Sequence, residues 1–390
     1  MAIVVSLLLL SFCFLTRFDF KGHHEGLFLL KGKGWRLFEL KDDLYLGDGS
    51  RILLHFDTDR IRDLYSKRER HPHGRAYLEY VWDAADGSGY VVNVFPGGER
   101  LMTNFSRFID EDGKAVFGLF VGGGLPLSVL PESVNRGNDT GMAWFDGTRW
   151  FHVWCNVNEG IGPSGSPGAI PPSRWKFLGS RILNYSDKRL VLSSWHEIEV
   201  EGVPLRIDRY AYFTAGDPFF RLEIRITNIG RRSVRVAYNY GDDPWLGDFG
   251  RGKGNVGWVK DRLIRHEELV DSSAYSWAGM YDRGNETAGD PPGMAYTYIA
   301  NFIEWLGPDK PVVYYANTFR GPQMPILGNV PLSSNERFIG LQWDPLELDP
   351  GKGKKLFLVV GKANTAPDGG LPSIPPGALD APPSASTPVR

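Results

Sequence analysis

The sequence predicts an all-β protein, a large antiparallel β-sandwich with one or two short helices. Strand-like runs recur at roughly ten-residue intervals, separated by Gly, Asp and Asn turns. The composition joins 13% aromatic residues with 47 Gly and 27 Pro, many strand formers with many turn formers. The clearest stretch, Phe219 to Gly250, alternates with period two. Phe220, Leu222, Ile224 and Ile226 oppose Arg221, Glu223, Arg225 and Thr227, and Val234, Val236, Tyr238 and Tyr240 continue the pattern after Asn228-Ile229-Gly230. The two arms are expected to pair as a β-hairpin with one buried face.

The elements follow in order. Met1 to Thr16 is an apolar run closed by Arg17, too short for a comfortable bilayer span and suited to the core of a secretory signal. No Lys or Arg precedes it and no small-x-small cleavage site follows. Cys13 after Leu10-Ser11-Phe12 approaches a lipoprotein box, with Phe12 where Gly or Ala belongs. A buried N-terminal strand or a misplaced start codon is the alternative. Four Asn-x-Ser/Thr sequons, at Asn104, Asn138, Asn184 and Asn285, fit an extracytoplasmic location, whether periplasmic, secreted or envelope-anchored. Residues 1–22 are therefore assigned as a leader, and membrane contact is expected only through it, uncleaved or lipidated at Cys13.

Leu27 to Leu40 reads as a hairpin turning at Lys31 to Gly34. Asp57 to Arg70 is the best helix, with Ile61, Leu64 and Tyr65 on one face. Strands are expected at Ala76–Trp82, Tyr90–Phe95, Leu101–Phe108, Ala115–Val121, Met142–Asp146 and Arg149–Cys155. Gly160 to Pro172 carries enough Gly and Pro to read as a long surface loop. Strands resume at Trp175–Leu178, Ile182–Tyr185, Leu190–Ser194, His196–Glu201 and Leu205–Phe213. Met294 to Leu306 reads as an aromatic strand or a short helix. Val312–Tyr315, Phe338–Trp343 and Leu356–Gly361 close a single domain, 23–364. The Pro- and Ser-rich 365–390 has the composition of a disordered tail.

Composition also excludes. A formal net charge of -2 supplies no basic footprint for nucleic acid. No glycine-rich phosphate loop precedes a helix. Two cysteines, one in the leader, provide no disulfide framework.

The arms of Phe219–Tyr240, the segment Phe338–Trp343, Leu348-Asp349-Pro350-Gly351 and the strand Lys355–Val360 together resemble the central hairpin and closing strands of galactose-mutarotase-like proteins, over Gly26 to Lys362. The resemblance implies a β-supersandwich and a glycan-directed role, as in epimerases, polysaccharide lyases and accessory domains of glycan-processing enzymes. The sequence departs from that family's Asn-His pair before an aromatic strand. His152 and His196 have aromatic neighbours in other contexts, so catalysis does not follow from the resemblance.

Three constellations carry chemistry. In Arg149–Cys155, alternation puts Trp150, His152 and Trp154 on one face, with Asn156, Asn158 and Glu159 following. Aromatic rings flanked by amides and a carboxylate suit a sugar, whose apolar face stacks while its hydroxyls hydrogen-bond. Core packing of the same rings is the alternative. Asp242, Asp243 and Asp248, with Trp245, lie in a glycine-rich loop that would border this face. They could hold Ca²⁺ or serve as acid and base, or simply cap turns. No resident cofactor or metal is expected otherwise, since the scattered histidines lack zinc-ligand spacing. If the protein is an enzyme, Glu159, Asp242 or Asp243 with His152 are the acid/base candidates. The sequence thus points to an exported carbohydrate-binding, conceivably glycan-modifying, β-sandwich protein. The alternative is a non-enzymatic structural or assembly protein of the cell envelope whose aromatic surfaces make protein contacts.

Overall fold

A computed structural model describes residues 31–32, 34–35 and 74–378, apart from 84–86, 106–107, 110–114, 123–140, 149, 156, 167, 186–187, 243, 245, 248–254, 284–296, 319–327, 333–336 and 367–368. The leader, the helix expected over Asp57 to Arg70 and the end of the tail lie outside the described residues. Among the described residues the protein is all-β, and its one helical element is a 3-10 turn at Pro172–Arg174. No helix there is long and apolar enough to cross a membrane.

Three antiparallel sheets make the body. The largest has nine strands in the order Lys176–Tyr185, Arg189–Val200, Val203–Thr214, Phe219–Asn228, Gly353–Lys362, Asn301–Leu306, Trp277–Asp282, Asn255–Val259 and Arg262–Ile264. A five-stranded sheet faces it: Val157–Pro163, Val234–Asp242, Phe338–Leu348, Val312–Ala316 and Glu268–Val270. A second five-stranded sheet, the N-terminal one, holds Tyr77–Asp83, Ser88–Val94, Arg100–Phe105, Met142–Phe145 and Trp150–Trp154. One continuous apolar core joins all three, from Val92 and Phe105 through Phe220 and Ile224 to Tyr238 and Leu341. Phe105 meets Phe213 and Phe220 edge-on at 5.8 and 5.6 Å, fixing the N-terminal sheet to the large one. Asn93 adds polar ties: its amide nitrogen donates to the carbonyls of Thr214 and Asp217, and its oxygen accepts from the Gly216 N–H.

The arms of 219–242 are both strands, with the expected residues buried, but they do not pair with each other. Phe219–Asn228 pairs with Val203–Thr214 and Gly353–Lys362, whereas Val234–Asp242 pairs with Val157–Pro163 and Phe338–Leu348 in the facing sheet. The connection is an arch between sheets. Its corner is held by Asn228, whose amide nitrogen donates to the carbonyls of Arg232 and Leu348 while its oxygen accepts from the Gly230 N–H. Alternation specifies which side of a strand is buried, and both arms bury theirs in one core.

The expected loop at Gly160 to Pro172 begins inside the strand Val157–Pro163. Its glycines are there because residues 168–170 fold back onto the strand. A Cβ at Gly160 would lie 2.7 Å from that of Ala169, and one at Gly162 would collide with the Gly168 carbonyl. Asn104 is buried and its amide donates to the Gly122 carbonyl, so that sequon is closed to modification in the folded chain. Part of the expected tail, 369–378, is described and packs on the outer face of the nine-stranded sheet, opposite the main core.

Candidate functional site

The elements nominated from sequence come together through the backbone. His152 and Gly247 exchange both backbone hydrogen bonds, at 2.9 and 3.1 Å, setting the strand Trp150–Trp154 beside Gly247. Val157 and Asn158 pair with Asp242 and Gly241. The side chains of Trp150 and Asp242, and all of Asn156, Asp243, Trp245 and Asp248, lie outside the described residues. Trp154 is 0% exposed in the main core and His152 is also buried, so neither presents a surface to a ligand in this conformation. Asn158 is half-buried on the opposite side of its strand from Glu159. Asn239 is buried, and neither atom of its amide meets a hydrogen-bond partner among the described residues. No group of three or more His, Cys, Asp or Glu among the described residues is placed to hold a metal ion.

Glu159 points between the sheets, where Arg209 from the nine-stranded sheet forms a buried ion pair with it. The same guanidinium donates to the Tyr238 hydroxyl at 3.2 Å and twice to the Leu119 carbonyl, at 3.1 and 2.8 Å, and stacks on Phe120 at 4.2 Å. Arg209 therefore braces the two facing sheets and the irregular segment 117–120 at once. Burial pushes Glu159 up to about 7 despite the opposing pull of Arg209.

Residues 118–120 are buried without strand partners, so the backbone groups of 117–120 must find others. Ser194 accepts the Leu119 N–H at 3.2 Å, and His196 Nε2 lies 3.0 Å from the Phe117 carbonyl. These contacts explain why Ser194, His196 and Arg209 interrupt otherwise apolar strand faces. Gly118, at φ +101°, completes the fit, because a Cβ there would sit 2.7 Å from the His196 ring. Burial holds His196 down at about 3, against the favourable Phe117 carbonyl. A neutral ring that donates from Nε2 leaves Nδ1 an acceptor, and Nδ1 has no partner among the described residues.

This scaffold carries a solvent-open depression of about 370 Å³ lined by Phe117, Pro172, Ser173, Trp175 and Phe177. Phe117 is 37% exposed and lies 6.1 Å from Phe177. Trp175 forms the floor, with Phe120, His196 and Tyr238 packed against it at 5.6, 5.9 and 6.4 Å. Its indole N–H donates to the Ile170 carbonyl at 2.9 Å, fixing the ring. Phe177 and His196 are cross-strand partners, so the wall ring stands directly over the buried histidine. Sequence reasoning nominated Glu159 but not these rings. The nearest signal was Gly118 between Phe117 and Phe120, a glycine where aromatic residues approach closely.

No family model matches the sequence, and no curated protein matches it. Solved structures similar to this chain include a galactose mutarotase-like protein from Clostridium acetobutylicum, at 6% identity over 74% of this chain and 98% of that one, TM-score 0.36. Another from Lactobacillus casei has 10% identity over 73% and 99%, TM-score 0.35. A 4-alpha-glucanotransferase from Thermococcus litoralis has 9% identity over 76% and 41%, TM-score 0.31. All three likenesses are at low identity and low TM-score.

Proposed function

We propose that the protein binds a carbohydrate, with the depression of Phe117, Trp175 and Phe177 as its contact surface. The observation that carries this reading is an open hollow lined by three aromatic rings, of which Trp175 and Phe177 are held from behind by Phe120 and His196. Pyranose rings present flat C–H faces that stack on aromatic side chains. Glu159 is read here as a brace: its charge is spent on Arg209, beneath the floor, and does not reach the hollow.

The test is a glycan-array screen of the full chain followed by titration of the strongest hit, read by tryptophan fluorescence. Phe117→Ala removes an exposed wall and leaves the core intact. A saturable signal weakened at least about threefold in Phe117→Ala and Phe177→Ala supports the reading, in line with roughly 0.5–1.5 kcal/mol per stacked ring. Saturable binding that ignores both substitutions moves the site elsewhere. Silence across chemically diverse glycans removes carbohydrate as the ligand.

A further inference from the structure

Glu304 lies mid-strand in Asn301–Leu306, opposite Val359 on one side and Trp277 on the other, and Val359 in turn pairs with Arg221. Ile303 and Trp305 face the main core, so Glu304, Val359 and Arg221 share the outer face of the nine-stranded sheet. There a second apolar cluster gathers Phe219, Trp277, Phe302, Val359 and Ala378, with Ile374 against it. The C-terminal segment 369–378 crosses this cluster as a strap. Asn364 and Ser373 exchange backbone hydrogen bonds of 2.9 Å each, Arg221 donates to the Gly377 carbonyl at 2.6 Å, and Ala378 is wholly buried.

Glu304 is 0% exposed, and neither carboxylate oxygen has a hydrogen-bond partner among the described residues. Arg221 is committed to Asp217 at 3.1 Å and to Gly377. A carboxylate in such surroundings is tolerated as the neutral acid and is costly as the anion. We propose that Glu304 is a proton-operated latch for the strap: protonated, it lets 369–378 seat over the outer face, and on losing its proton it loosens that segment and uncovers Phe219, Trp277 and Phe302.

The cations acting on Glu304 are Arg221 and Lys310, and both favour its charged form; burial outweighs them and holds it up at about 7. On the same face Glu223 is occupied by Tyr212 and Arg225, and Lys355 lies beyond it, opposite Arg225. Trp277, Val359, Ile374 and Ala378 bring no charge. With the strap seated the group titrates near 7, and hydrated it would titrate near its ordinary 4.5. The open form therefore binds fewer protons in between. Opening grows as pH rises from about 4.5 and levels off above about 7, by roughly two orders of magnitude if the carboxylate becomes fully hydrated.

Hydrogen exchange of the full chain, corrected for the intrinsic pH dependence of amide exchange, reads this directly in peptides covering 369–378. In the wild type, protection of the strap should fall at least tenfold between pH 5.5 and 8, while in Glu304→Gln it should stay at the low-pH level throughout. Arg221→Met, which unties Gly377, should lower protection at every pH and keep the pH dependence. Flat wild-type protection overturns the proposal, as does a Glu304→Gln profile that follows the wild type. Wild-type protection of the strap in Arg221→Met overturns it too.

Discussion

Two buried glutamates, one between the facing sheets and one on the outer face of the nine-stranded sheet, show how differently a fold can house the same side chain. Glu159 sits between the sheets with Arg209 on it, and that guanidinium also serves Tyr238 and the Leu119 carbonyl. Glu304 sits on the outer face that the strap crosses, with no hydrogen-bond partner among the described residues. Burial raises both to about 7. The first is knitted into a network whose members hold one another, so it acts as a strut beneath the aromatic hollow. The second has only its own proton to keep it neutral, so it responds to pH.

The largest expected effect breaks the strut. Arg209→Met should cost about 3–5 kcal/mol, because it leaves Glu159 buried without its cation and the Leu119 carbonyl without its donor. Urea unfolding would measure it, and a loss below about 1 kcal/mol would deny the brace its importance. Next comes the floor of the hollow. Trp175→Ala should cost about 3 kcal/mol and abolish glycan binding, whereas Phe117→Ala should weaken binding at little cost in stability. Retained binding in Trp175→Ala would separate the hollow from the ligand.

Glu304→Gln sharpens the contrast through pH. A raised folded-state value means that Glu304 contributes a stability fully present below about 4.5 and lost as pH rises through about 7. The amide should therefore be more stable than the wild type at pH 8, by about 2–3 kcal/mol, and similar to it at pH 4. Glu159 contributes a fall of the same sign, so the variant's profile should be flattened and not wholly level. Equal denaturation midpoints at pH 8 would place Glu304 in water. The smallest effect belongs to the surface. Arg235 and Glu347 face each other at 3.6 Å with most of both side chains in solvent, and Arg235→Ala should change stability by less than about 0.5 kcal/mol.

Much of this architecture was legible in particular residues. Phe220 to Ile226 and Val234 to Tyr240 announced their buried sides, since alternation records burial directly. What alternation does not record is the neighbouring strand, and so the arch read as a hairpin. The strands Asn255–Val259 and Trp277–Asp282 went unread because glycine interrupts them. Gly257 yields to the Tyr315 ring, and Gly279 to Trp258 and the Asn301 carbonyl. The hollow was less visible still, because Phe117 and Trp175 lie far apart in sequence and the side chains that seat 117–120 beside Trp175 (Ser194, His196 and Arg209) come from two further strands. Glu304 did leave a trace: a lone acid among Phe302, Ile303 and Trp305 shares its alternation phase with Phe302, a buried phase.

The strand order has a consequence for synthesis. Gly353–Lys362 comes last in sequence among the described strands, yet it sits in mid-sheet, between Phe219–Asn228 and Asn301–Leu306. Phe338–Leu348 holds the matching place in the facing sheet. A nascent chain that has not yet reached them carries two open flanks in each layer, rich in Phe, Ile and Tyr and ready to pair with strangers. Closure waits on contacts more than a hundred residues apart along the chain, so assembly should be slow.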